Sequence, residues 1–163
     1  LRVDDAREVG ADRIVNDVAA IRKYGAPLIV IDFGTATTFN AINEKGEFIG
    51  GAVAPGMRGS LDSLVSGTAK LPRVEIETPK SVIGKNTTTN LQAGLVFGFA
   101  GLVDYIVKKT KREMKLPDIQ VVATGGFSGI IAKEVGCIDH VDKLLTLQGL
   151  KYLYDLNCSE GKK

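Results

Sequence analysis

Residues 28–40, Leu-Ile-Val-Ile-Asp-Phe-Gly-Thr-Ala-Thr-Thr-Phe-Asn, constrain this chain more than any other stretch. Leu28 to Ile31 is an unbroken apolar run of strand length, which reads as a strand buried on both faces. It ends on the carboxylate of Asp32, followed by Gly34 and the hydroxyls of Thr35, Thr37 and Thr38. Glycine lets the backbone come close to a ligand where a β carbon would collide. Successive backbone N–H groups and threonine hydroxyls then offer donors to phosphate oxygens. Phe39, Ala41 and Ile42 continue as a second strand, residues 43–46 form a turn, and residues 48–53 form a third strand. No Gly-Lys-Ser/Thr follows and no helix starts there, so this is not a Walker loop. A tight hairpin whose threonines serve β propensity accounts for the same residues, and both readings stand on this stretch alone.

The 163 residues are about one domain, enough to close a core. An apolar share of 44%, a charged share of 25% and 19 glycines describe a turn-rich α/β chain. The net charge of +2 and the lack of a long Lys/Arg block give no footprint for nucleic acid. Lys108, Lys109, Lys111 and Arg112 read as the solvated end of a helix, where cations suit the dipole. Cys137 and Cys158 are far apart and form no metal or redox motif, so they read as reduced thiols of a cytoplasmic protein. No apolar run of ~18 residues and no signal peptide is visible, so no membrane span is expected. The chain opens on Leu1 rather than Met, which suggests a piece of a longer protein.

Residues 1–9 read as a polar lead-in, and a helix follows to Tyr24 with Ile14, Val15, Val18, Ala19 and Ile21 at helical spacing. Asp12 stands where a carboxylate usually caps such a helix, and Gly25 with Pro27 ends it. On spacing alone, Asp12 is a cap and Arg13 a solvated side chain. The run Ala54-Pro55-Gly56-Met57 opens a helix through about Ser66, and residues 70–81 read as an extended connection. A polar loop at 83–90 precedes a long helix over about 91–114, capped by Thr89 or Asn90. Its small residues, Gly94 and Gly98 among them, suit a close-packed helix; Gln92, Asp104 and the lysines argue against a membrane dimer motif. Residues 119–123 read as a second buried strand, followed by Thr124-Gly125-Gly126 and a helix from Ser128 to about Val135. A strand, two glycines and a helix is where nucleotides sit above parallel strands, and also an ordinary βα turn. His140, the single histidine, reads as a surface residue beside a short strand over 138–141 rather than as a base. An amphipathic helix over 144–156 and a frayed tail close the chain. The order β-β-β-α, long α, β-α, β-α is that of one half of the actin-like, ribonuclease-H-type fold, a three-strand antiparallel meander plus parallel strands with flanking helices.

The segments Gly10-Ala11-Asp12-Arg13, Asp32-Phe33-Gly34-Thr35-Ala36-Thr37-Thr38, Gly50-Gly51-Ala52 with Ala54-Pro55-Gly56, Ile83-Gly84-Lys85-Asn86-Thr87 and Ala123-Thr124-Gly125-Gly126 occur in an order and spacing that resemble the type III pantothenate kinase family. The resemblance covers about residues 8–157 and divides the chain into a lead-in (1–9), a C-terminal actin-like kinase domain (10–157) and a tail (158–163). It implies ATP-dependent phosphorylation of pantothenate, the first step of coenzyme A synthesis. It makes Gly10, Ala11, Asp12 and Arg13 the pantothenate-binding segment, with Asp12 as the base for the substrate hydroxyl. Arg13 would meet the pantothenate carboxylate or a phosphate oxygen. Asp32 would hold an activating monovalent cation, K+ or NH4+. Gly34 and Thr35 would contact the ATP phosphates, and Gly125 and Gly126 would lie against the adenosine. Thr87 would be a second pantothenate contact near a partner subunit of a homodimer. Mg2+ would arrive with ATP. Two departures stand out. The family opens with an Asp-x-Gly-Asn-Thr phosphate loop that these residues lack, so an N-terminal half in cis or trans is expected to complete the cleft. Asn40 also stands where the family commonly has Asp. Some members are described as Baf-type accessory transcription factors, which makes a regulatory or merely dimerising role the alternative; the near-neutral charge and the lack of a helix-turn-helix pattern oppose DNA contact.

Overall fold

The computed structural model describes residues 1–68 and 70–160. A 3-10 turn, Ala6–Glu8, leads into α1 (Ala11–Tyr24). The meander is β1 (Leu28–Phe33), β2 (Ala36–Ile42) and β3 (Phe48–Pro55). Then come α2 (Met57–Ser66), α3 (Thr87–Met114), β4 (Gln120–Gly125), α4 (Ser128–Ile131), β5 (His140–Val141) and α5 (Leu145–Glu160). The strands form one sheet in the order β3-β2-β1-β4-β5, with β1–β2–β3 antiparallel and β4 and β5 joined in parallel. This is the ribonuclease-H-type arrangement expected from the element order.

The apolar run of β1 is central and covered on both faces, as its sequence requires. Ile29, Ile31 and Phe33 point into a core shared with Met57 and Leu61 of α2, Val96, Phe99, Val103 and Val107 of α3, and Ile131 of α4. Leu28 and Val30 point the other way, onto Ala19 and Ala20 of α1 and Leu145 of α5. Helices therefore cover both faces, and each fully buried Leu or Ile contributes about 1.5–3 kcal/mol. Period-2 alternation consequently sends Asp32 to the α1 side, a placement the site depends on.

Several expected boundaries move, each for a local reason. α3 starts at Thr87, not near Leu91, because Asn86 rather than Thr89 or Asn90 is its N-cap. The Asn86 side chain accepts from the Thr89 N–H at 2.9 Å, and the Thr89 hydroxyl accepts from the Asn86 N–H at 3.2 Å, a reciprocal capping box. α4 is a single turn instead of running to Val135. Beyond it the backbone closes in i→i+3 bonds, Lys133 N–H to Ile130 and Glu134 N–H to Ile131, a tighter winding that does not propagate. β5 loses its first two expected residues because the Asp139 carboxylate, not a strand carbonyl, accepts the Val121 N–H at 2.8 Å. α5 runs on to Glu160, so the expected tail is helical that far, and residues 161–163 lie outside the described residues. By length and composition α3 also holds an 18-residue stretch apolar enough to cross a membrane, with a mean hydropathy of 1.4, contrary to the expectation that no segment is. Its Val96, Phe99, Val103 and Val107 face is nevertheless committed to the sheet.

Candidate functional site

Asp32 is the penultimate residue of β1, in register with Thr38 of β2 and Thr124 of β4, so it stands at the carboxyl end of the parallel pair. The start of α1 lies over it. Asn16, only 1% exposed, donates Nδ2 to Asp32 Oδ2 at 3.0 Å. Asn16 Oδ1 in turn accepts the Thr146 hydroxyl of α5 at 2.7 Å, which fixes the amide the right way round. Three elements thus hold one carboxylate. Burial foremost raises the Asp32 pKa, the Asn16 bond opposes it, and the charge of Asp12 raises it further. The Asp12 charge is therefore felt at Asp32, at the carboxyl end of the parallel pair.

Asp12 is not the helix cap. Gly10 is, without a side-chain bond, and its carbonyl accepts the N–H groups of Arg13 at 3.1 Å and Ile14 at 3.4 Å. That leaves the Asp12 carboxylate free and exposed in the first turn, beside an equally exposed Ala11, where the helix dipole favours an anion. On the other side of Asp32, Gly125 adopts φ +89°, and a β carbon there would come within 2.7 Å of Asp32 Oδ1. Only glycine fits, which brings the bare Gly125-Gly126 backbone to the site.

The β1–β2 turn offers fewer donors than its composition implies. The Gly34 N–H is spent on the Ala36 carbonyl at 3.1 Å, and the Thr37 hydroxyl on the Pro55 carbonyl at 3.2 Å. Thr35 remains exposed, and Gly56, the N-cap of α2, packs against the Thr35 carbonyl. Thr87, exposed at the first turn of α3, belongs to the opposite helical layer and is not brought to the Asp12–Asp32 pair. His140 stacks on Tyr24 with ring centroids 4.5 Å apart and bonds Gln120 at 3.1 Å, so it is a half-buried packing residue rather than the surface residue expected.

One cluster escaped the sequence reading. Arg13 lies over β2 and β3, its guanidinium 5.1 Å from the centre of the Phe48 ring. Its Nε donates to Asn40 Oδ1 at 2.8 Å, and Asn40 Nδ2 donates to Asp17 Oδ1 at 2.7 Å. Asn40 is 2% and Asp17 5% exposed. Burial pushes the Asp17 carboxyl up to about 7, against the Asn40 bond and the Arg13 charge. Gly51 makes room for the guanidinium: a β carbon there would collide with the Phe39 carbonyl and stand 3.0 Å from Arg13 Nη2. A carboxylate at 40 would bring no N–H to Asp17, and the two would repel wherever both are ionised. The departure at Asn40 therefore has a physical reason, since an amide can accept from Arg13 and donate to Asp17 at once. The available signal was polar residues, Asn16 and Asp17, on the stripe of α1 that carries Val15 and Ala19.

Comparison with known proteins places the chain. The family model described as Type III pantothenate kinase matches residues 1–109. A type III pantothenate kinase of Moorella thermoacetica is 55% identical over 157 residues, 96% of this chain and 61% of the relative. The chain thus spans about three fifths of that relative's length. The crystal structure of a Baf family protein from Campylobacter jejuni superposes with a TM-score of 0.68 at 21% identity, covering 98% of this chain and 70% of that one, which shows a shared fold. The chain belongs to the type III pantothenate kinase family.

Proposed function

We propose that this chain is the substrate-binding half of an ATP-dependent pantothenate kinase, forming 4'-phosphopantothenate at the start of coenzyme A synthesis in the cytoplasm. It would act once completed by an N-terminal phosphate-binding half, in cis or in trans. The observation that carries the reading is the Asp12 carboxylate, exposed in the first turn of α1 and near enough for its charge to act on Asp32 at the carboxyl end of β1. Phosphoryl transfer needs a nucleophile held in line and its proton accepted late, more than it needs a strong base. An exposed carboxylate at a helix N-terminus suits that task, and Asp12 takes the proton of the pantothenate hydroxyl. Gly10, Ala11 and Arg13 hold the substrate, Arg13 offering to the pantothenate carboxylate or a phosphate oxygen the Nη1 donors that remain once Asn40 takes Nε and the sheet covers Nη2.

Gly34 and Thr35 contact ATP phosphates, and Gly125 and Gly126 form the floor for the adenosine. Thr87 reaches pantothenate from the second subunit of a homodimer, in keeping with its distance in the fold from Asp12. Among the described residues no group of three or more His, Cys, Asp or Glu side chains gathers. The donors at hand are the Asp32 carboxylate and neighbouring oxygens, a set that fits a hard cation. Asp32 would hold K+ or NH4+ and Mg2+ would come with ATP; together they neutralise phosphate charge. The test supplies the completed protein with ATP, Mg2+, K+ and pantothenate and looks for phosphopantothenate. Product from wild type and its loss in Asp12→Asn support the reading; a wild-type protein that makes none contradicts it.

A further inference from the structure

The Arg13–Asn40–Asp17 chain is a costly thing to bury. One Asp17 oxygen, Oδ2, and one Arg13 nitrogen, Nη2, are buried with no hydrogen-bond partner. Half-satisfied buried polar groups destabilise a fold relative to an apolar trio of the same size. What the chain accomplishes is to restrain its outer end. An arginine in the first turn of a helix ordinarily samples many rotamers. Here Asn40 occupies Nε, the Phe48 ring lies against the guanidinium plane, and the bare backbone of Gly51 receives Nη2.

We infer that Asp17 is a positioning residue for Arg13, acting through Asn40 to hold the guanidinium in one orientation and so set the affinity for the anionic group of the substrate. This rests on the reading of Arg13 as a substrate contact. The residue types at 17 and 40 are coupled by the direction of the hydrogen bonds: the middle group must accept from Arg13, and one of the two facing groups must donate to the other. The groups that face Asp17 are Arg13 from its own helix and Asn40 from β2. Because burial brings its titration to about 7, Asp17 is partly neutral at physiological pH. Its ionised form offsets the Arg13 charge, so the affinity for an anionic substrate weakens as pH rises through neutrality.

The experiment measures steady-state kinetics of the completed protein. Asp17→Ala is expected to raise KM for pantothenate about tenfold with kcat within about twofold, the loss of one charge-linked hydrogen bond. Asp17→Asn keeps an acceptor for Asn40, so KM stays near wild type and its rise between about pH 6 and about pH 8 flattens. Asn40→Asp alone raises KM, and the pair Asp17→Asn with Asn40→Asp restores it. In an Arg13→Gln background, Asp17→Ala should add nothing. An undiminished Asp17→Ala effect in that background, or equal changes in kcat and in the KM for ATP, would overturn the inference. If wild type proves unable to phosphorylate pantothenate, the functional reading fails separately. Positioning is then read from solvent exchange of the Arg13 Nε–Hε proton by NMR: slow in wild type and fast in Asp17→Ala upholds it, and equal rates overturn it.

Discussion

Asn40 hands a hydrogen bond from β2 to the buried carboxylate of Asp17 on α1, 2.7 Å away and 23 residues earlier in the chain. Burial raises the Asp17 pKa from its ordinary 3.8 to about 7. Between those values the folded protein keeps a proton that the unfolded chain has lost, so stability falls as pH rises through the window and levels off above it. The loss is at most about 4 kcal/mol, at about 1.4 kcal/mol per pH unit. Asp17→Asn removes the titration. Urea unfolding should find the variant more stable than wild type at pH ~8, by up to that amount, with the gap shrinking toward pH ~4.

The Thr146–Asn16–Asp32 relay ties α5 through α1 to β1. Thr146→Val leaves Asn16 Oδ1 buried without its donor, at a cost of about 1–3 kcal/mol, while Thr146→Ser should stay near wild type. Denaturant midpoints of the two variants check this. A loss in Thr146→Ser with none in Thr146→Val would mean that the methyl group, not the hydroxyl, matters.

Gly125 is the position where backbone and site meet most tightly. Ala there must adopt φ near +89° with its β carbon 2.6 Å from the Phe33 carbonyl and 2.7 Å from Asp32. Gly125→Ala is expected to cost at least about 1–3 kcal/mol and to displace the Asp32 carboxylate. Thermal unfolding and a crystal structure of the variant read the two effects separately.

Ile31 is fully buried in the middle of β1, against the core shared with α2 and α3. Ile31→Ala should lose about 2–5 kcal/mol, depending on how far Phe99 and Val103 collapse into the space. The measurement is a urea midpoint at unchanged m-value, which reports stability rather than compactness.

The sheet was legible because its signals are local. Leu28–Ile31 is an apolar run with a polar end, and residues 43–46 carry a turn in which Asn43 Oδ1 does accept the Lys45 and Glu47 N–H groups, both at 3.0 Å. The order of elements then left few topologies to consider. The start of α3 differs because its N-cap, Asn86, lies five residues before the first apolar position, Leu91, so periodicity detects the helix late. Asp12 was legible as a first-turn carboxylate but not as free of capping, since Gly10 does that work through its backbone. The buried network could not be read from spacing at all. Arg13 meets Asn40 across 27 residues and Asn16 meets Thr146 across 130, pairings that exist only once α1 is laid on the sheet beside α5. What the sequence did offer was polar residues where an amphipathic helix should be apolar, and such exceptions are where a fold carries its chemistry.

Asp12 is the residue on which the functional reading turns, and a single substitution tests it. The completed protein and its Asp12→Asn variant should be compared for phosphopantothenate formation, with pantothenate binding measured alongside by calorimetry. The carboxamide keeps the shape and cannot take a proton, so turnover is expected to fall about 10²–10⁴-fold while pantothenate still binds. A variant that phosphorylates pantothenate as fast as wild type would contradict Asp12 as the base and remove the chemical role assigned to this half of the kinase.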